Sequence, residues 1–311
     1  MNMRNKNLAV LIATFNRHRE IELLLTSIAS STVYPNKIVI IYSGLDITNL
    51  INKYQEIFDI ELIYSPIANQ SVQKSLGISS LGVEFKWVLF LDDDLVLETS
   101  TIEILVKNYL DNAKYSSYAG FGLGILNRSK RKINPFILQL LKFFKLYSST
   151  PGVVLKSGHV QSYLDFNEEI DVKWLNGISV WNSKVLSLYV AQPMPVTYSA
   201  YEDVEFSYNV SKNYQLIFVP RVVVRNQKIE ANSPLTLAQY IHGSDLRYKF
   251  VSSHSELSKT WLLISQIVRG FDFIFRKNLN SKVNRRISVV LKLWFKLFYL
   301  VVKSLRRGTQ V

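Results

Sequence analysis

Runs of consecutive apolar residues alternate with stretches in which apolar positions recur every three or four residues, and this alternation continues as far as Asp94. Leu8 to Thr14 reads as a buried strand. A helical pattern follows from His18 to Ser30, with Ile21, Leu24, Leu25 and Ile28 on one face. Lys37 to Tyr42 and Ile60 to Tyr64 read as further strands, Leu45 to Phe58 and Asn69 to Leu81 as further helices. Trp87 to Leu91 is a run of five apolar residues, too short for a helix and suited to a strand covered on both faces. Strand and helix in this order predict an α/β fold, a single Rossmann-like and mostly parallel sheet flanked by helices.

Beyond Asp94 the spacing predicts a helix over Thr99 to Asn112, capped by Ser100, and a strand over Tyr118 to Leu126. In that strand Gly120, Gly122 and Gly124 share one face, which leaves room for a ligand, a backbone or a packed helix. Residues 127–150 carry Arg128, Lys130, Arg131 and Lys132 ahead of Phe136-Ile137-Leu138, Leu140-Leu141 and Phe143-Phe144, the pattern of a basic amphipathic insertion. Two more apolar helical stretches, Trp261 to Phe275 and Ile287 to Val302, follow near the end. This organisation predicts a domain over residues 1–230 and a helical extension over 231–311.

The charge is uneven. From Lys259 onward there are twelve basic residues and one acid, whereas residues 1–258 hold 25 basic against 23 acidic ones. Lysines interrupt the last apolar stretch, which is also shorter than the ~20 residues of a spanning helix, so a helix lying in an anionic membrane surface is expected. A packed hairpin and a homo-oligomer interface are the structural alternatives. The aromatic and leucine content of the tail suits lipid, so no nucleic-acid partner is expected. No cysteine is present, which excludes disulfides and thiolate metal sites. The first apolar run is too short for a signal-peptide core, so a cytoplasmic protein, peripheral on the inner membrane face, is expected. No GxxxxGK[ST] loop or dinucleotide fingerprint occurs.

Asp92, Asp93 and Asp94 fall at the C-terminal end of the central strand, where open α/β sheets bind ligands. Adjacent carboxylates repel unless a cation joins them, and oxygen ligands suit Mg²⁺ or Mn²⁺. The plainer reading is an acidic turn capping the next helix. Farther on, Ser199-Ala200-Tyr201-Glu202 fits a capping box, with Asp203 in the first helical turn. Trp174 suits a sugar face or a core, and the acidic stretch Asp165 to Asp171 reads as a solvated loop.

Taken together, Thr14-Phe15-Asn16-Arg17, Leu91-Asp92-Asp93-Asp94, Trp174-Leu175-Asn176-Gly177 and Glu202-Asp203-Val204-Glu205-Phe206 resemble the ordered motifs of the family 2 glycosyltransferases, above all the bacterial members that build surface polysaccharides. The resemblance implies an A-type glycosyltransferase fold and a nucleotide diphosphate sugar donor, a UDP- or dTDP-sugar. By it, Thr14, Phe15, Asn16, Arg17, Ser43, Lys74, Asp92 and Asp93 bind donor, and Asp94 with Asp92 holds Mn²⁺ or Mg²⁺. Trp174, Asn176, Gly177 and Glu202 meet the acceptor, and Asp203, aided by Glu202, is the catalytic base of an inverting transfer to a saccharide, expected to be lipid-linked. Three positions depart from the family pattern. Ser43-Gly44 stands where an acid follows the second strand, Lys74 stands in place of an arginine, and Arg225-Asn226 stands where some members place a metal-binding histidine. A catalytically silent glycan-binding or scaffold protein of the same fold is the alternative.

Overall fold

The computed structural model describes residues 3–82, 84–126, 135–189, 201–227, 236–275 and 283–308. The chain forms two compact units, residues 1–130 with 163–230, and residues 131–162 with 231–311.

The first unit is built on one sheet. Its strands are β1 (Met3–Phe15), β2 (Val33–Ser43), β3 (Asp59–Tyr64), β4 (Trp87–Asp92), β5 (Leu95–Leu97), β6 (Tyr118–Leu126), β7 (Ile170–Val172), β8 (Ser179–Asn182) and β9 (Gln215–Asn226). The spatial order is β3-β2-β1-β4-β8-β6-β9-β5, with β7 pairing on β9. β3, β2, β1 and β4 run parallel, as the strand and helix alternation predicts. β8 is antiparallel to both β4 and β6, and β6 pairs parallel with β9. Leu8 to Ile12 and Trp87 to Leu91 are almost wholly buried, so continuous apolar sequence is explained by cover on both faces.

The flanking helices include α1 (His18–Ala29), α2 (Thr48–Asn52), α3 (Gln70–Leu81), α4 (Thr101–Leu105) and, beyond α5 of the other unit, α6 (Glu202–Val210). α3 lies close on the sheet because Gly77 has no side chain; a Cβ there would stand 2.5 Å from Ile41 Cδ1 and 2.7 Å from Leu11 Cδ1. The helix expected over Leu45 to Phe58 is shorter. The carboxylate of Asp46 accepts from Thr48 N and Oγ1 and starts α2 there, and after Asn52 the chain continues in tight turns such as Tyr54 N–H to Ile51 C=O and Ile57 N–H to Tyr54 C=O. The helix expected over Thr99 to Asn112 turns to π geometry over Val106–Leu110, after an Ser100 N-cap that makes no side-chain cap bond.

The glycine face of β6 is filled by the chain itself. Cβ atoms at Gly120 and Gly122 would collide with Trp181, Leu175 and Tyr163. The acidic stretch is not merely solvated: Glu169 accepts from the hydroxyls of Tyr109 and Tyr115, and Asp171 from that of Tyr118.

In the second unit, α5 (Pro135–Phe143) has no buried residue. α7 (Leu237–Ser252), α8 (Lys259–Phe275) and α9 (Val283–Gly308) share a core of Tyr240, Phe273, Ile274, Val290, Leu293 and Leu297. α7 opens with a capping box between Thr236 and Gln239. His159 is buried with its Nε2 2.9 Å from Arg269 Nη1; burial, together with Arg247 and Arg269, holds its pKa well below the usual histidine value. Among the described residues, no helix is long and apolar enough to cross a membrane.

Candidate active site at the strand ends

The C-terminal ends of β1 and β4 border a cavity of about 340 Å³ lined by Ala13, Thr14, Phe15, Arg17, Ala68, Gln70, Gln73 and the three aspartates. The aspartates end β4 and run through a turn into β5, so they do not cap a helix. Each carboxylate has different company. Asp93 is buried; its Oδ2 accepts from Thr14 Oγ1 at 2.7 Å and its Oδ1 from Arg17 at 2.6 Å. Burial pushes its pKa up to about 6, against the pull of Thr14 and Arg17. Asp94 is half-buried, its side chain 45% exposed, and binds the same guanidinium at 3.0 Å. Asp92 is half-buried and accepts from Gln70 Nε2 at 2.8 Å. Burial raises its pKa, Lys74 lowers it, and the charge of Asp94 raises it further.

The neighbouring residues fix this turn. Asn16 adopts a left-handed backbone (φ 54°), and its Oδ1 accepts from Leu45 N at 2.8 Å, joining the ends of β1 and β2. Ser43 is buried, donates to the carbonyl of Ser65, and is not among the cavity-lining residues. Two glutamines that the motifs do not include complete the frame. Gln73 Nε2 lies within hydrogen-bond reach of the carbonyls of Thr14 and Ile41 and of Ser43 Oγ, at 2.8 to 3.2 Å. Gln227, just after β9, has its Nε2 on the carbonyls of Glu20 and Leu95. Their signal in sequence is slight: polar residues at one-turn spacing on a sheet-facing helix, and an amide directly after a strand.

The second acidic group lies at the start of α6. Tyr201 is its N-cap, in a left-handed conformation (φ 69°) with no side-chain cap bond; Ser199 of the expected capping box lies outside the described residues. Glu202 is buried, with Oε1 4.0 Å from Lys74 Nζ. Asp203 is half-buried and its Oδ1 accepts from Val204 N at 2.8 Å. Burial pushes the Asp203 pKa up to about 7, with the adjacent Glu202 carboxylate adding to the rise and Lys74 opposing it.

Lys74 and Gly177 link the two groups. A Cβ at Gly177 would stand 3.4 Å from Lys74 Nζ and 3.7 Å from Asp92 Oδ1. The loop carrying Gly177 is set from beneath: Asn176 N donates to Tyr163 Oη at 2.8 Å, and Ser207 of α6 donates to the Leu175 carbonyl at 3.2 Å. Trp174 is 8% exposed and packs on the Tyr163 ring at 5.0 Å, so its ring serves the core.

The donor chemistry around Asp92 and Asp94 is all oxygen, which fits Mg²⁺ or Mn²⁺. Among the described residues no group of three or more His, Asp or Glu is arranged to hold a metal. Two carboxylates suffice where phosphate oxygens and water complete the octahedron.

Residues 9–161 match the sequence profile described as Glycosyl transferase family 2. No curated protein matches the sequence. Among solved structures, S. aureus TarS 1-349 in complex with UDP-GlcNAc is similar over 94% of this chain and 79% of its own, with 14% identity and a TM-score of 0.58. Against the longer TarS structure the chain spans about half of the other protein's length, 49%. The mannosyltransferase PcManGT from Pyrobaculum calidifontis in complex with GDP-Man and Mn2+ is similar over 97% of this chain and 79% of its own, with 12% identity and a TM-score of 0.50. These likenesses identify the A-type glycosyltransferase fold.

Proposed function

From the premise that residues 9–161 belong to glycosyl transferase family 2, we propose that the protein is a metal-dependent inverting glycosyltransferase that moves a sugar from a UDP- or dTDP-sugar to a saccharide hydroxyl. One observation carries the reading. Carboxylates more than a hundred positions apart meet around Lys74: Glu202 lies 4.0 Å from its Nζ, Gly177 stands between that Nζ and Asp92, and the charges of Lys74 and Asp92 both act on Asp203. Mn²⁺ bound in the structure with GDP-Man and UDP-GlcNAc bound in that of TarS support the donor class.

In this reading Thr14 and Arg17 hold Asp93 so that the turn presents Asp92 and Asp94 to a cation and the donor diphosphate. The cation, when bound, neutralises the charge that develops on the leaving diphosphate. Asp203 keeps Oδ1 on its own helix and uses Oδ2 to take the proton of the attacking hydroxyl. A single base facing the leaving group gives one displacement, with inversion at the anomeric carbon. The exposed aromatic surfaces of α5 and α9, with Lys142, Lys292 and Lys296, support a lipid-linked acceptor met at the cytoplasmic face of an anionic membrane, as in the assembly of a bacterial surface polysaccharide.

Thermal shift with UDP, dTDP and GDP, each with and without Mn²⁺, tests the donor assignment, because a ligand of the native state raises Tm. We expect a rise with UDP or dTDP that requires Mn²⁺, and Mn²⁺-dependent release of the diphosphate from the matching nucleotide sugar. A protein that none of the three stabilises is not this transferase; one that binds without turnover is the silent relative.

A further inference from the structure

Gln70, Gln73 and Lys74 lie at i, i+3 and i+4, one face of α3, and that face is turned into the protein. Gln70 holds Asp92 and Gln73 holds the ends of β1 and β2. Lys74 is the third of this set. It is 2% exposed, its Nζ lies 5.6 Å from the centroid of the Phe90 ring, and the acid in ion-pair range is Glu202 at 4.0 Å. It is not among the residues lining the cavity beside the aspartates. A buried ammonium needs a partner, because desolvating an isolated charge is strongly unfavourable. Glu202 stands in ion-pair range and is buried too, whereas its neighbour Asp203 keeps part of its surface open; the charge of Lys74 also favours the ionised forms of Asp92 and Asp203. Two adjacent acids at one helix start therefore have unequal roles. Resting on the reading of Asp203 as the base, we propose that Lys74 is a positioning residue of the acceptor side: it ties Glu202 inward and fixes the start of α6 against α3, so that Asp203 alone offers a carboxylate oxygen to the acceptor.

This role differs from a contact to the donor diphosphate, and it gives α3 a mechanical task. Gln70 and Lys74, one helical turn apart, fix the distance between the carboxylate of β4 and those of α6. The test follows the ionisation of Asp203 in the full chain by ¹³C NMR of protein labelled at aspartate Cγ, the signal being assigned by its loss in Asp203→Asn. The charge of Lys74 favours the ionised form of Asp203, so Lys74→Met is expected to move the Asp203 midpoint up by roughly 1 pH unit, and Lys74→Arg to leave it close to wild type. An unchanged midpoint in Lys74→Met overturns the proposal. Should that variant fail to fold, Lys74→Met/Glu202→Gln, in which Glu202 is not left as an unpaired buried charge, is read against Glu202→Gln with the same expected direction. Calorimetry of UDP with Mn²⁺ on the same samples keeps the two readings apart. Failure of the wild type to bind removes the donor assignment, whereas a donor-binding wild type with an immobile Asp203 midpoint removes only the role of Lys74.

Discussion

Asp203 is the base in the proposed reaction, and its environment sets two opposite pH effects. Its ordinary pKa of 3.8 rises to about 7 in the folded chain, chiefly through burial. A base works only when ionised, so transfer is expected to rise with pH through about 7 and level off above it. Stability runs the other way. The folded state holds a proton that the unfolded state has released between pH 3.8 and about 7, so stability falls across that window and stays at the lower value above it. Asp203→Asn keeps the acceptor for Val204 N–H but has no such charge. It is expected to lower kcat by roughly 10²–10⁴ with little change in UDP–Mn²⁺ affinity, and to melt higher than wild type at pH 8 but not at pH 4. Activity lost together with donor affinity would instead mark Asp203 as part of the donor site. At this scale the sequence was only partly legible. Three aspartates in a row look equivalent, yet of the three that line the cavity Asp93 is buried against Thr14 and Arg17, Asp94 shares that guanidinium, and Asp92 is held by Gln70. Ser43 is expected at the donor by its position alone and Trp174 at the acceptor by its motif; in the fold Ser43 donates to the Ser65 carbonyl and Trp174 packs on the Tyr163 ring, contacts that no local pattern announces.

Elements with long apolar runs or periods are legible in the sequence, because burial writes itself into consecutive or regularly spaced residues. β1, β4, α1 and α3 follow the expected segments to within a few residues, apart from the exposed start of β1. β5, β7 and β8 are three or four residues long and exist through partners far along the chain, β8 between β4 and β6 and the other two on β9. No local period announces such strands. The elements also depend on a few buried amides. Gln73 ties the backbone of β1 to that of β2 at the point where the cavity begins, with bonds of 2.8 and 3.1 Å to two carbonyls. Gln73→Leu leaves buried carbonyls without their donor, a loss of about 1–3 kcal/mol for each group left unsatisfied. Urea denaturation is expected to show that loss as a lower midpoint at unchanged slope, with UDP–Mn²⁺ affinity reduced because the Thr14 end of β1 is released. A variant as stable as wild type would mean that other groups hold the two strand ends.

On the scale of the whole chain the asymmetry of charge finds a physical form in the second unit. Along α9, Val290, Leu293, Leu297 and Val301 are buried in the helical core, while Leu291, Phe295, Phe298 and Tyr299 form a separate exposed stripe, with Phe295 74% and Phe298 57% exposed. Lys292 and Lys296 lie beside that stripe and are exposed, Lys296 being paired with Asp245. α5 exposes Phe136, Ile137, Leu140 and Phe143, with Lys142 in its last turn; Arg128, Lys130, Arg131 and Lys132 lie outside the described residues. Large exposed aromatics in a basic setting match the interfacial depth of an anionic bilayer, where aromatic burial and attraction of roughly 1 kcal/mol per lysine act together. Flotation with vesicles of phosphatidylglycerol and phosphatidylcholine separates the contributions. Phe295→Ser with Phe298→Ser is expected to reduce binding at every salt concentration, because it removes insertion. Lys292→Gln is expected to reduce it mainly at low salt, because a charge on the rim is screened within about 8 Å at physiological ionic strength. Both residues of the phenylalanine pair are exposed, so neither change removes a core contact, and helical content should hold in both variants. Binding that survives the double phenylalanine change, or that is equal on purely zwitterionic vesicles, would assign the exposed stripe of α9 to another partner and leave the lipid-linked acceptor without its physical support.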